Sequence, residues 1–329
     1  MTVYNRIGGG GMNKVTLDGK PPKDRINLNK RVFTNYISRK PETIRDVRDV
    51  IYSKKTDSYY FISNTSSYKG IYKITLNVHL FEKVKQIDLP SSSILLNMFI
   101  RNGDIYVKQG AEIFLFNIET KTYTEIAKNL PDEFYSAKVC LYDRLKDRLI
   151  VSIDSKIRSY SFKEKTVTEI SNVFPSNNII RAGAPIIKEN KLYFIGVGDM
   201  FKDIVTINLD TGIVTEHKNA LPAPIKQTYG LGGAKAFFLN NKIHLIGLKD
   251  EKYESEFYIF AETDRIDKWE KCGICKNDYD EKTKIAQKDE DTVLIFDFES
   301  SSDCYEIKKA YVKEWYKWLN NIQTLTAIN

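Results

Sequence analysis

Large apolar residues recur along this chain in pairs seven positions apart, each pair set in a stretch rich in Thr, Lys and Glu. The pairs are Ile26 and Phe33, Ile74 and Phe81, Phe116 and Tyr123, Tyr160 and Val167, Ile207 and Val214, and Tyr311 and Trp318; Phe260 and Trp269 make a further pair, two residues wider. Their second members follow one another at intervals of 48, 42, 44, 47, 55 and 49 residues. Around each pair, apolar and polar positions alternate with the period of half-buried strands, and Asn/Gly or Lys/Thr turn chemistry separates them. Self-similarity at this period, built from short strands, predicts an all-β chain folded as a β-propeller.

Residues 92–131 show one unit in full. SSILLNMFI reads as a strand, RNG as a tight turn and DIYVKQG as a second strand; EIFLFNIE is a third, KT turns, and TYTEIAKNLP is the fourth. This is a meander of four antiparallel strands, named a to d from inside to outside. The same order recurs in 136–175, 181–222 and 233–275, and more loosely in 1–41, 46–90 and 284–322. Blades are thus expected at about 1–41, 42–90, 91–131, 132–175, 176–222, 223–276 and 277–322, forming a single domain of seven blades. The alternative is six blades, with residues 1–41 an extension or a donor of single strands. Small residues sit where strand a would crowd the axis (Ala182, Gly183, Ala184, Gly233, Ala234, Ala236). Prolines 41, 90, 131, 175 and 222 fall where strand d, an outer edge, ends without losing a ladder hydrogen bond. The pairs Thr124–Glu125, Thr168–Glu169 and Thr215–Glu216 repeat once per unit on that edge, where charge opposes edge-to-edge aggregation.

The stretches KLYFIGVG…IVTINLDTGIVTEHKNALP and DIYVKQG…IFLFNIETKTYTEIAKNLP resemble Kelch repeats, and Tyr311 and Trp318 keep the Kelch spacing of tyrosine and tryptophan. The likeness is strongest over 92–275. It is a diverged one: the Kelch double glycine is reduced to Gly110, to Gly196 and Gly198, or to Gly247, and Phe, Tyr or Val replaces most tryptophans. The resemblance implies the propeller fold and a protein-interaction role, without naming a partner.

Composition narrows the classes. The chain has 329 residues, 42% hydrophobic and 12% aromatic, enough for a large core rich in strand formers. The net charge of +7 is mild and unclustered, which gives no nucleic-acid footprint. No apolar run approaches a membrane span, and the N-terminus has no signal core, so no membrane association is expected. Four scattered cysteines do not make a disulfide framework, and an intracellular, cytoplasmic location is expected. Cys272 and Cys275 form the one metal-like spacing but lack companion ligands; His79, His217 and His244 fall at different radii. No GxSxG elbow, P-loop or HExxH motif occurs. The expectation is therefore no catalytic residue, no metal and no cofactor.

What remains is binding. In Kelch-like propellers the d–a and b–c loops gather on one rim. Exposed aromatic, Met and Arg residues are the usual interface anchors, so the partner-binding candidates are Phe134, Tyr135, Arg181, Met200, Phe201 and Tyr229. A non-enzymatic scaffold or structural subunit, binding a protein partner such as a cytoskeletal element or a large complex, is the expected function. The alternative is a propeller enzyme or small-ligand binder using the central channel; a polar channel with perturbed carboxylates would favour it.

Overall fold

The computed structural model describes residues 2–7, 11–16, 47–63, 70–75, 80–86, 96–137, 139–153, 156–171, 184–198, 200–225, 234–239, 241–249, 257–275, 284–289, 292–296 and 304–308. Within them the architecture is all-β, with antiparallel blades in a propeller arrangement. Strands β1 (Thr2–Ile7) and β2 (Gly11–Thr16) form a hairpin of their own. The first blade is β3 (Val47–Ser53), β4 (Ser58–Ser63), β5 (Gly70–Thr75) and β6 (Leu80–Gln86). The second is β7 (Leu96–Arg101), β8 (Asp104–Gln109), β9 (Glu112–Asn117) and β10 (Thr122–Ala127). A short helix, α1 (Asp132–Tyr135), leads into the third: β11 (Val139–Asp143), β12 (Arg148–Ile153), β13 (Lys156–Ser161) and β14 (Thr166–Ser171). The fourth is β15 (Ala184–Lys188), β16 (Lys191–Val197), β17 (Asp203–Asn208) and β18 (Val214–His217). The fifth is β19 (Lys235–Leu239), β20 (Lys242–Lys249), β21 (Phe257–Glu262) and β22 (Trp269–Cys275). Strands β23 (Lys284–Gln287), β24 (Thr292–Phe296) and β25 (Cys304–Lys308) make a sixth, three-stranded sheet.

The seven-residue spacing has a direct cause. Ile74 lies opposite Phe81, Phe116 opposite Tyr123, Tyr160 opposite Val167 and Ile207 opposite Val214. Each pair is the first apolar rung above the same c–d hairpin. The turn repeats its chemistry as well. The Asn117 side-chain oxygen accepts the N–H groups of Glu119 and Thr120, and Asn208 does the same for Asp210 and Thr211. Such Asx turns stand in for backbone hydrogen bonds. In the fifth blade Phe260 lies opposite Lys271, and Trp269 lies opposite Glu262, seven residues away. The a–b turn of the second blade is Asn102–Gly103, both with positive φ (54° and 86°), as a two-residue hairpin of the right twist requires.

The inner strands follow one another round a closed circuit: β3 beside β7, β7 beside β11, then β15, β19 and β23, which lies beside β3. The circuit passes through six sheets, five with all four strands described. Of the first unit the described residues give only the β1–β2 hairpin, and the pairs Ile26/Phe33 and Tyr311/Trp318 lie outside the described residues.

Apolar clusters fill the seams between blades. Tyr59, Phe61 and Tyr72 of the first pack with Leu294 and Phe296 of the last. Tyr60, Ile62 and Ile71 pack with Leu96, Ile105 and Phe116. Phe99, Tyr106 and Ile113 meet Leu149, Val151 and Tyr160. Comparable clusters join the third blade to the fourth and the fourth to the fifth. Burying one such side chain stabilises by about 1.5–3 kcal/mol, so the seams dominate the fold. At the a–b end, ion pairs cross the same seams: Lys288 to Asp57, Lys55 to Asp104, Arg101 to Asp147, Arg148 to Asp210, and Lys188 to Glu262. Arg101 makes a two-pronged contact. Its guanidinium grips both Asp147 oxygens at 2.6 and 2.8 Å, donates to the Tyr106 hydroxyl at 2.9 Å and lies 4.7 Å from the centre of the Phe162 ring.

Candidate functional site

Two places combine exposed or polar chemistry with a rigid frame: the rim of d–a and b–c loops, and the inner strands at the same end of the blades. On the rim, Pro131 precedes α1, and the Phe134 N–H donates to its carbonyl at 2.8 Å. Glu133 on this helix pairs with Arg158 at 3.0 Å and Lys156 at 3.4 Å. Its own backbone N–H, then the Arg158 and Lys156 charges, hold its carboxyl below the usual range. Leu130 donates to the Ala111 carbonyl at 3.1 Å, tying the segment to the second blade. This frame sorts the two aromatics. Phe134 is fully buried in the seam between the second and third blades, whereas Tyr135 is 48% exposed.

The b–c loop of the fourth blade sorts its pair in the same way. Asp203 takes the Lys218 ammonium at 3.1 Å and the Asn219 N–H at 2.8 Å, fixing the loop base. Phe201, at φ 53°, turns inward and packs half-buried on the cluster of Ile204 and Ile225. Met200 is left 65% exposed at the tip. Of the six candidates, then, Tyr135 and Met200 stand on the surface of one rim, Phe134 is in the core and Phe201 is half-buried. Phe134 is not a surface anchor, because α1 turns it under the rim. Arg181 and Tyr229 lie outside the described residues.

Strands β3, β8 and β11 carry groups that sequence reasoning passed over. Asp49, at a register shift in β3, accepts the N–H of Val50 and, across the seam, the N–H of Met98 on β7, both at 2.8 Å. Burial pushes its carboxyl up to about 6, against those two N–H groups and the Lys284 charge. Cys140, half-buried on β11, has its thiol pushed up to about 12 by burial, with Lys108 opposing and Asp49 adding to the shift. Lys108 on β8 is fully buried, and burial pushes its ammonium down. The repeat held a signal for it. Lys108 occupies the position taken by Ile62, Ile195 and Ile246 in three other blades and by Ser152 in a fourth. Two of the histidines have partners elsewhere: His217 on β18 contacts the Thr206 hydroxyl, and His244 stacks on Phe237; His79 lies outside the described residues.

Asp49 gives a pH prediction. Its carboxyl titrates near 4 in an unfolded chain and near 6 here, so the folded protein binds the extra proton between those values. The resulting stabilisation is full below about pH 4 and is lost as pH rises through about 6. In urea denaturation the stability difference between wild type and Asp49→Asn should therefore shift in favour of wild type as pH falls from about 7 to about 4.5. A difference that stays constant with pH would contradict the assignment.

No protein-family model and no curated protein matches the chain. Among solved structures it is similar to a chain in a crystal structure of the mitotic checkpoint complex, with TM-score 0.50 and 10% identity, over 82% of this chain and 92% of that one. A luciferin-regenerating enzyme aligns with TM-score 0.49 and 12% identity, over 80% of this chain and 91% of that one. At such identities the first likeness speaks for the propeller fold alone. No helix among the described residues is long and apolar enough to cross a membrane.

Proposed function

We propose that this protein is a non-enzymatic, intracellular protein-interaction scaffold, a diverged Kelch-like propeller that holds a protein partner on its d–a and b–c rim. The observation that carries the reading is the exposure of Tyr135 and Met200 on loops whose neighbouring aromatics, Phe134 and Phe201, are turned inward. Each exposed side chain stands on a loop fixed by hydrogen bonds and ion pairs, so little conformational freedom is lost when a partner covers it. Arg181 and Tyr229 belong to the same proposed surface. The mitotic checkpoint complex, a multi-protein assembly, contains a chain of similar fold, which is compatible with this role.

The test is affinity purification from the native source with wild type and with Tyr135→Ala/Met200→Ala. An aromatic anchor contributes about 2 kcal/mol, roughly thirtyfold in affinity, so the enriched partner should be lost from the double variant while its thermal transition stays within a few degrees of wild type. Full retention of the partner at unchanged stability would place the interface elsewhere.

A further inference from the structure

Four large apolar side chains are exposed among the described residues. Tyr135 and Met200 belong to the d–a and b–c rim. Leu145, 69% exposed, and Ile213, 63% exposed, lie at the other end of the blades, where the a–b and c–d turns gather. Leu145 is in the a–b turn of the third blade, between the paired residues Asp143 and Arg148. Ile213 closes the c–d turn of the fourth, where its carbonyl accepts the Asn208 N–H at 2.9 Å.

The repeat shows that neither turn needs an aliphatic residue. The a–b turn of the first blade has the same length, and Lys55 stands where the third blade has Leu145. In the c–d turns of the second and third blades, Thr122 and Thr166 stand at the place of Ile213. Polar side chains satisfy these positions, so the fold gains little from a leucine or isoleucine left in water. The two turns are also locked to each other. Asp210, in the turn that Ile213 closes, takes Lys146 at 3.5 Å and Arg148 at 3.4 Å, and Lys146 is the neighbour of Leu145. A partner covering both residues therefore orders little that is not already fixed.

The charge around the pair has a sign. Arg144, Lys146, Lys163 and Lys165 are exposed on the two turns of the third blade, against Glu164 there and Asp210 across the seam. Asp143 and Asp147 are already engaged by Arg148 and Arg101. Arg144 and Lys165 have no ion-pair partner among the described residues. Such a surface attracts carboxylates. The two aliphatic contacts suit a peptide better than a nucleic acid, whose bases take aromatic platforms. Glu164 and Asp210, standing among the cations, oppose a uniformly anionic lipid surface.

We infer that this end of the third and fourth blades is a second docking surface, for an acidic protein segment that also carries apolar side chains. Leu145 and Ile213 contact its apolar residues, and Arg144, Lys146 and Lys165 pair with its carboxylates. The surface is separate from the rim of Tyr135 and Met200 and does not depend on the reading of that rim.

The experiment is selection of a displayed library of short random peptides on the full chain. It is run in parallel on wild type, on Leu145→Ser/Ile213→Thr and on Tyr135→Ala/Met200→Ala. Exposed turn positions tolerate such changes, so the thermal transition of the first variant should match wild type. A set of peptides rich in Asp and Glu, with Leu, Ile or Phe among them, should be enriched on wild type and on the Tyr135/Met200 variant and lost from the Leu145/Ile213 variant. Once synthesised, these peptides should bind wild type at least about tenfold more tightly than the Leu145/Ile213 variant. Their binding should weaken as salt rises from about 0.05 to about 0.5 M. Peptides lost only from the Tyr135/Met200 variant report on the other rim. If no enriched set depends on Leu145 and Ile213, or if the dependent set lacks acidic residues, the proposal fails. Co-sedimentation of wild type, but not of the Leu145/Ile213 variant, with phosphatidylserine vesicles would assign the surface to a membrane and overturn it equally.

Discussion

Replacing Phe134 with alanine should destabilise the propeller by about 3–5 kcal/mol, the range for removing a large buried aromatic. The ring is wholly inaccessible and packs with Tyr106, Ile113, Leu149 and Val151 in the seam between the second and third blades. A seam between two sheets cannot collapse as a single flexible wall would, since each sheet is held by its own ladder and by the opposite seam. The cavity left by the ring is therefore expected to persist, adding its own cost to the lost burial. Tyr135, the next residue, is the internal control. It is half-exposed, and Tyr135→Ala should change stability by no more than about 0.5 kcal/mol. Chemical denaturation monitored by circular dichroism checks both. A loss below about 1 kcal/mol for Phe134→Ala would mean that α1 rests on the blades without holding them.

This pair also marks how far the sequence could be read. The Asp-Glu-Phe-Tyr loop was legible as a loop, because Pro131 ends the outer strand and the next inner strand begins at Val139. Which of its aromatics faces the core was not, since one turn of helix decides it and four residues carry no periodicity. The strand meander was legible because every blade repeats the same hairpin geometry, and the exposed Thr–Glu positions on β10, β14 and β18 followed from it. The blade count was harder. Seven apolar pairs suggested seven blades, yet whether a unit joins the circuit depends on how β23 meets β3, a contact between residues more than 200 positions apart that no local pattern encodes. Lys108 and Asp49 were missed for a related reason. In a strand, one polar residue among apolar ones reads as a solvated position. Only the neighbouring blade, which covers Lys108, and the Met98 N–H, which engages Asp49, give these groups their properties.

Gly212→Ala should cost about 2–4 kcal/mol, and the repeat itself supplies the reason to expect more than a turn-residue effect. Gly212 has φ 69°; the equivalent positions in the c–d turns of the second and third blades are Lys121 and Lys165, at 56° and 55°. The left-handed conformation alone is thus tolerated with a side chain, at about 1–2 kcal/mol. What differs at Gly212 is the neighbour. A methyl group there would lie 2.1 Å from the carbonyl oxygen of Ile170 on β14, the outer strand of the third blade. A backbone carbonyl in a sheet cannot swing aside as a side chain can. The turn would have to move, and with it the Gly212 N–H bond to the Asn208 carbonyl at 2.8 Å and the Asx bonds of Asn208. Lys165→Gly is the matching control. It relieves left-handed strain without meeting a neighbour, and should be neutral or stabilising by up to about 1 kcal/mol. If denaturation gives Gly212→Ala a cost no larger than about 1 kcal/mol, the third and fourth blades are less tightly apposed at their outer strands than the Ile170 contact requires.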